Sequence, residues 1–476
     1  MFIIERGIYK SKLRWKGESD CERFISSLLE TKFTVVSWVF NPGTKKNEPI
    51  KTFLFEDNSF YSGLAPIVRN SILEMGYDCL IEDKPEYNIG CDPRLAIERI
   101  KTGLTLPLRD YQSEAIIKSI KKPFSMISLP TGTGKSLVMA ALLLADDTST
   151  LIVVDSKILM YQLAENIRTF TGIECGLVGD SHYYPRKWTV CVIDSLLGQR
   201  GTDLIRNSEA LYFDEAHKAG APSYRSIVDD GKNNIKIRRG FSGTAFRNDS
   251  RTYLLPALTG PVVVHYTTSD MIDRGWLAIP HIVTPIIANF TSKATYYQQI
   301  YRSCIINNTL RNKICVEALV EPAKRGHLVV GFFRNVREHL PAIRNILYAA
   351  FPKNQIGVLH GNVLSINRKR VLSEFADGTK RILLASVGTT GEGVDLPGET
   401  KIGVNFSGGC SEIAIRQLLG RCLRKPKLNG NEIDKNKPYH IYWVDPHDLT
   451  HQEMKRQSDI RHDIYSSEPS FIMEGE

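Results

Sequence analysis

The chain has no CxxC pair, no apolar run long enough for a spanning helix, no short-period repeat and no low-complexity tract. Its nine cysteines are scattered and odd in number. That excludes a disulfide frame or a zinc ribbon and predicts reduced, mostly buried thiols. Without a stretch of about 18 apolar residues there is no candidate membrane span. The opening Met1 to Lys16 is apolar only at Phe2 to Ile4 before Glu5 and Arg6 intervene, so no signal-peptide core is present. The protein is expected in the cytoplasm (a host's, if viral) and off membranes. The missing repeat argues against a solenoid. Acid is in mild deficit: 61 Lys and Arg face 52 Asp and Glu, a net +9. This suits a polyanionic partner, although many solvated surfaces are mildly basic.

At 476 residues, 42% hydrophobic and 24% charged, the chain predicts a soluble globular protein of two or three domains. Residues 1–82 read as a small α+β domain. Phe33 to Phe40 and Lys51 to Phe55 are β-rich runs around an Asn41-Pro42-Gly43 turn, and a helix spans Leu64 to Met75 before Gly76. Residues 83–107, punctuated by Pro85, Gly90, Pro93, Gly103 and Pro107, read as a linker around one short helix. From Leu108 apolar strands alternate with helices. The first series is Ser125 to Leu129, Thr150 to Val154, Thr189 to Ile193, Ala210 to Phe213 and Arg239 to Ser242. A second is Leu328 to Phe333, Gln355 to Leu359, Arg381 to Ala385, Lys401 to Asn405 and His440 to Val444. Both predict parallel sheets with helices on both faces, over 108–285 and 286–476, joined by Pro261 to Ile287. The tail after Thr450 is polar, helical to Tyr465 and loose beyond.

Three strings carry chemistry. Thr131-Gly132-Thr133-Gly134-Lys135-Ser136 lies between a strand and an Ala/Leu-rich helix, the setting of a phosphate loop. Its glycines allow successive N–H groups to face a phosphate. Lys135 would reach the β- and γ-phosphates, and the Ser136 hydroxyl would ligate Mg²⁺. Leu129 stands where the eight-residue pattern wants Gly or Ala, a change tolerated at a strand end. Asp214-Glu215-Ala216-His217 follows Ala210 to Phe213, at the strand end where ligands bind in such sheets. Asp214 would hold the metal and Glu215 would activate water, with His217 a coupling candidate. Gln417, Arg421 and Arg424 stand at i, i+4 and i+7 of a helix expected over Ser411 to Leu423, two guanidinium forks suited to phosphate charge. Upstream, Arg109 and Gln112 open a helix; a glutamine amide can read both edges of adenine, which favours ATP.

These motifs resemble those of superfamily 2 DNA helicases of the DEAH-box-containing kind, over Leu108 to Val444. The resemblance implies two tandem RecA-like motor domains with ATP and Mg²⁺ in the cleft between them. It also implies a DNA-contacting motif at Val153 to Gln162 and a coupling motif at Ser242-Gly243-Thr244-Ala245. Further motifs are Leu359-His360-Gly361, with His360 toward nucleic acid, and Ser386 to Pro397, with Thr390 on the phosphodiester and Gly393 and Asp395 at the nucleotide. Phe40-Asn41-Pro42, Tyr61 to Leu64 and Gly76-Tyr77 are similar to the small N-terminal domain of phage UvsW-like recombination helicases. That implies unwinding and branch migration of forked or junction DNA in recombination, repair or replication, by a bacteriophage-type enzyme acting as a monomer. An RNA helicase and a duplex-DNA translocase subunit with little strand separation share the site and remain open.

DNA would be held mainly by its phosphates. Candidates are Lys157, Arg247, Arg334, Arg337, Arg368 and Lys369, each equally readable as a solvated charge. Tyr183-Tyr184-Pro185-Arg186-Lys187-Trp188 interleaves aromatic and basic residues. It would either stack on bases, with Trp188 as a wedge, or pack its rings on the first motor domain.

Overall fold

The computed structural model describes residues 1–16, 19–41, 46–87, 92–232, 234–243, 253–388, 396–426 and 434–475. They form two compact units: Met1–Leu129 with Gly134–His265, and Tyr266–Glu476 with Pro130–Thr133.

The first unit is built on an eight-stranded sheet in the order His182–Tyr184, Gly176–Gly179, Trp188–Val192, Thr150–Val154, Ala210–Phe213, Ile237–Ser242, Phe124–Ser128, Val262–His265. All pairs are parallel except His182–Tyr184 on Gly176–Gly179. The central strands are buried on both faces, which is why they read as unbroken apolar runs rather than alternating ones. Helices Lys135–Asp146 and Lys157–Thr171 cover this sheet.

The N-terminal residues do form a five-stranded mixed sheet, Phe55–Glu56, Ser59–Tyr61, Lys10–Trp15, Phe2–Arg6, Cys79–Asp83. The expected hairpin is present as Thr34–Asn41 on Lys46–Phe53; its turn residues Pro42 and Gly43 lie outside the described residues. The residues read as a small α+β domain over 1–82 share their apolar core with the sheet that follows. One apolar core runs from Phe2, Phe33 and Phe60 through Tyr224 to Leu258. Tyr9 and Tyr61 both donate to Asp229 Oδ1, at 2.7 and 2.8 Å, and Arg238 donates to the Ile8 carbonyl. A Cβ at Gly63 would lie 2.0 Å from the Pro256 carbonyl oxygen, so only glycine permits this approach. The segment 83–107 carries one helix and is tied to the first unit. Helix Pro93–Gly103, capped by Asp92, is pinned where Arg99 pairs with Asp147 at 3.1 Å, and Thr105 N–H donates to the Phe170 carbonyl.

The second unit carries a seven-stranded, all-parallel sheet in the order Ile356–Leu359, Ile382–Ser386, Leu328–Phe333, Thr400–Asn405, His440–Val444, Ile279–Val283, Ile472–Glu474. Two expectations fail here. The boundary at 285 is too late, because Ile279–Val283 already belongs to this sheet while the first sheet closes with Val262–His265. The tail beyond Tyr465 is not loose: after helix Gln452–Ser466, Ile472–Glu474 pairs with His281 to Val283. Pro280 is tolerated because that outer partner begins only at His281. Among the described residues, no helix is long and apolar enough to cross a membrane.

Candidate nucleotide site

Three neighbouring strands of the first unit end side by side: Ala210–Phe213, Ile237–Ser242 and Phe124–Ser128. Beyond their carboxyl ends stand Asp214-Glu215, Gly243 and the loop from Leu129. Two backbone bonds fix these ends. Leu129 N–H donates to the Ser242 carbonyl at 2.9 Å, and Asp214 N–H to the Val153 carbonyl at 3.1 Å. A ligand crevice at the carboxyl ends of a parallel sheet follows from this arrangement.

The loop is shaped for phosphate. Gly132 and Gly134 hold φ of +87° and +83°, conformations that side-chain-bearing residues rarely adopt. A Cβ on Gly134 would meet the Gln112 amide nitrogen at 2.6 Å. Thr133 is buried and donates to the Pro130 carbonyl at 2.7 Å, which tightens the turn between Thr131 and Gly134. Helix Lys135–Asp146 starts directly after Gly134, placing Lys135 and Ser136 in its first turn, where the dipole is positive. The Lys135 ammonium lies 3.2 Å from the Leu129 carbonyl oxygen. Leu129 itself is fully buried, so the position that departs from the loop pattern contributes packing and a carbonyl.

Asp214 is half-buried beside Glu215. Desolvation first, then the Glu215 charge, pushes its carboxyl up to about 7, against the pull of Lys135. Glu215 sits in the left-handed region, φ 45°, and its N–H donates to Asp214 Oδ1 at 3.0 Å. This strained backbone turns two consecutive carboxylates toward one crevice. Asp214, Glu215 and the Ser136 hydroxyl are hard oxygen donors of the kind that could hold Mg²⁺. The His217 ring nitrogen Nδ1 lies 3.0 Å from Ser242 Oγ and 3.3 Å from Glu215 Oε2. His217 therefore bridges Glu215 and the end of strand Ile237–Ser242. Sequence reasoning missed Asp155, which pairs with Lys218 just past the same acids. Its signal was the one that found Asp214, an acid directly after an apolar strand.

The Gln112 carboxamide is buried, and its Oε1 accepts the Arg109 N–H at 2.9 Å, capping helix Asp110–Ile120. Its amide nitrogen packs against Gly134, where a Cβ would lie 2.6 Å from it. The Arg109 guanidinium donates to Tyr111 Oη at 2.9 Å.

In the second unit Ser411 caps helix Glu412–Cys422, which carries Gln417 and the buried Arg421. Arg424 is not on that helix, as the i+7 spacing assumed. The helix stops at Cys422, and Arg424 forms an antiparallel bridge with Leu277. His360 and Arg334 follow strands Ile356–Leu359 and Leu328–Phe333 of the same sheet. Burial and neighbouring arginines lower the His360 pKa. Lys157 opens helix Lys157–Thr171 in the first unit and pairs with Asp180. Trp188 is corrected: it is 4% exposed within a strand and has no face to offer a base. Thr244, Arg247, Thr390, Gly393 and Asp395 lie outside the described residues.

Comparison with known proteins gives a consistent picture. Residues 105–247 match the family model of the type III restriction enzyme res subunit. Residues 311–426 match that of the helicase conserved C-terminal domain. Together they cover more than half of the chain. The chain is similar to the DNA 3′-5′ translocase XPB2 of Sulfurisphaera tokodaii, 24% identical over 67% of this chain and 79% of the relative. It is similar also to the ATP-dependent DNA helicase UvsW of Enterobacteria phage T4, 25% identical over 66% of this chain. That match spans 65% of the phage protein, just under two thirds of its length. In fold, it resembles a fragment of a putative HsdR subunit of a type I restriction enzyme from Vibrio vulnificus. The TM-score is 0.54 at 17% identity, covering 92% of this chain and 80% of the other.

Proposed function

This chain belongs to the superfamily 2 helicases, and we propose that it is an ATP-dependent DNA helicase or translocase that unwinds and migrates forked or junction DNA. One observation carries the reading. Lys135, the acid pair and the Ser242–His217 contact stand beyond the carboxyl ends of adjacent strands in the first unit. Nucleotide chemistry and a mechanical output thus share one set of strand ends.

In this reading Ser136 and Asp214 would hold Mg²⁺, which when bound supplies charge neutralisation at the β- and γ-phosphates. The N–H groups of Thr131 to Ser136 and the Lys135 ammonium orient the triphosphate. Glu215 accepts the proton of the attacking water. Gln417, Arg421 and Arg424 belong to the second motor domain and stabilise developing phosphate charge from there. His217 passes any shift of Glu215 to Ser242, which begins the coupling motif containing Thr244. Lys157, Arg247, Arg334, His360 and Thr390 take the DNA backbone, so binding is salt-dependent and indifferent to sequence. The relatives named for DNA translocation and unwinding support DNA over RNA. The chain works as a monomer in the cytoplasm where it is made.

The test is ATP turnover with single strand, duplex, fork, four-way junction and RNA. DNA should stimulate, with forks or junctions strongest, and Lys135→Ala should lower turnover at least about 100-fold, the scale of losing a phosphate-stabilising group. Stimulation by RNA alone, or a Lys135→Ala chain that still turns over ATP, would overturn the reading.

A further inference from the structure

The aromatic and basic segment around Tyr184 takes no part in the nucleotide chemistry, yet the fold gives it a specific form. Gly176–Gly179 and His182–Tyr184 make a hairpin at the outer edge of the first sheet, with Gly179 opposite His182 and Leu177 opposite Tyr184. Its two-residue turn, Asp180 and Ser181, has φ of 48° and 67°. This is the turn class that matches strand twist but normally recruits Asn-Gly or Asp-Gly, so Ser181 holds an uncommon conformation. The turn is tethered from the next helix. Tyr161 Oη donates to Asp180 Oδ2 at 3.0 Å, and Lys157 Nζ to Oδ1 at 3.3 Å.

Three rings cluster beside the tether, each turned from the next, Tyr161 edge-on to His182 at 88° and His182 at 45° to Tyr184. Tyr161 and His182 lie 6.0 Å apart between centroids, and His182 and Tyr184 5.9 Å. His182 and Tyr184 share a strand face because side chains alternate. Tyr184 is 67% exposed and Tyr161 40%. Tyr183 points to the other face, where its Oη donates to the Arg200 carbonyl. An exposed aromatic row on an edge strand is a liability that folds normally blunt, unless something stacks on it. One end of the row meets Lys157 at the start of helix Lys157–Thr171, which Ser156 caps. The positive end of the helix dipole there suits a phosphate.

We propose that Tyr161, His182 and Tyr184 form a stacking ladder for the bases of single-stranded DNA whose phosphates pass the helix start at Lys157. The inference rests on the DNA-motor reading above and adds a base-dependent, sequence-tolerant contact to a backbone-dominated grip. It also separates the roles within the segment: Trp188 packs the sheet, and Tyr184 faces solvent.

The experiment measures equilibrium binding of an oligothymidine and of an abasic strand of equal length, with the same phosphates and no bases. The wild-type chain should prefer the oligothymidine. Tyr184→Ala should weaken oligothymidine binding about 5- to 100-fold, the range of one lost base stack, and narrow the preference over the abasic strand by the same factor. Tyr184→Phe should restore the preference. Tyr184 is exposed, so these changes leave the core untouched. A wild-type chain blind to the missing bases, or a Tyr184→Ala chain that binds oligothymidine as wild type does, overturns the ladder. If DNA still stimulates ATP turnover in that case, the motor reading stands. If no DNA binds or stimulates, the motor reading falls and the ladder with it.

Discussion

Arg239 in the first unit and Arg461 in the second are both buried and both face an aspartate, but they fasten different things. Arg239 pairs with Asp146 through two 2.6 Å bonds and donates to the Ser119 carbonyl and Ser125 Oγ, while Tyr212 donates to the same carboxylate. Asp146 is the last residue of the helix that Lys135 begins, and Arg239 lies in the strand that ends at Ser242. The pair therefore joins two regular elements, each already satisfied by its own ladder. Arg461 instead spends one donor on Asp445 at 2.9 Å and two on the carbonyls of Gly409 and Pro446, each at 2.8 Å. Arg311 does the same with Asp448 and the Phe406 carbonyl, and Tyr301 donates to the Ser407 carbonyl. The loop so held leads into helix Glu412–Cys422. In one unit the reactive helix is placed by a sheet. In the other it is placed by side chains that satisfy buried loop carbonyls.

The contrast can be broken at three points. Arg239→Ala leaves Asp146 buried without its partner and should cost the first unit about 3–5 kcal/mol in urea unfolding. Replacing both partners by apolar residues should recover much of that loss, and a cost below about 1 kcal/mol for the single change would show that the sheet alone places the helix. Arg461→Met should destabilise the second unit by a smaller amount, about 2–3 kcal/mol, as loop carbonyls lose their donors. Its sharper effect is on turnover: kcat should fall about tenfold or more while ATP affinity, held by Lys135 in the other unit, stays within about twofold. Equal losses in kcat and affinity would remove the distinction between the two anchors.

A third effect is a pH slope, gentle per pH unit. Burial, then the Arg311 charge, lowers the His339 pKa to about 3. The folded chain keeps this ring neutral while the unfolded chain binds a proton below the ordinary 6.5. The stabilisation is thus present above about pH 6.5 and is lost as pH falls toward 3, by at most about 1.4 kcal/mol per pH unit. His339→Phe should flatten that slope in the second unit's unfolding and leave the first unit's unchanged.

What could be read from the chain beforehand follows the same division. Thr150–Val154, Ala210–Phe213, Leu328–Phe333 and His440–Val444 are found with their observed ends, because strands covered on both faces are written as contiguous apolar runs. Thr131 to Ser136 is legible because consecutive residues build the loop. Partners chosen across long distances leave no local mark. Asp146 and Arg239 look like solvated charges, Arg461 sits in a polar helix, and nothing near Phe2 announces Leu258. Gly176–Gly179, His182–Tyr184 and Ile472–Glu474 are too short for an alternating pattern, and Pro280 disguises a strand as a connector. Arg424 was misplaced because apolar spacing continues to Leu423 while the helix ends one residue sooner.

The core that the N-terminal sheet shares with the first motor unit has a kinetic consequence. Tyr9 and its acceptor Asp229 are 220 residues apart in sequence. At synthesis speeds of roughly 5–20 residues per second, the early strands wait about 10–45 s for that acceptor to exist. During that interval Phe2, Phe33 and Phe60 lack the later half of their apolar contacts. Nascent chains should therefore be most vulnerable to chaperone capture and proteases before Leu258 emerges. Such non-local closure also predicts slow refolding of the first unit compared with helical domains of similar size.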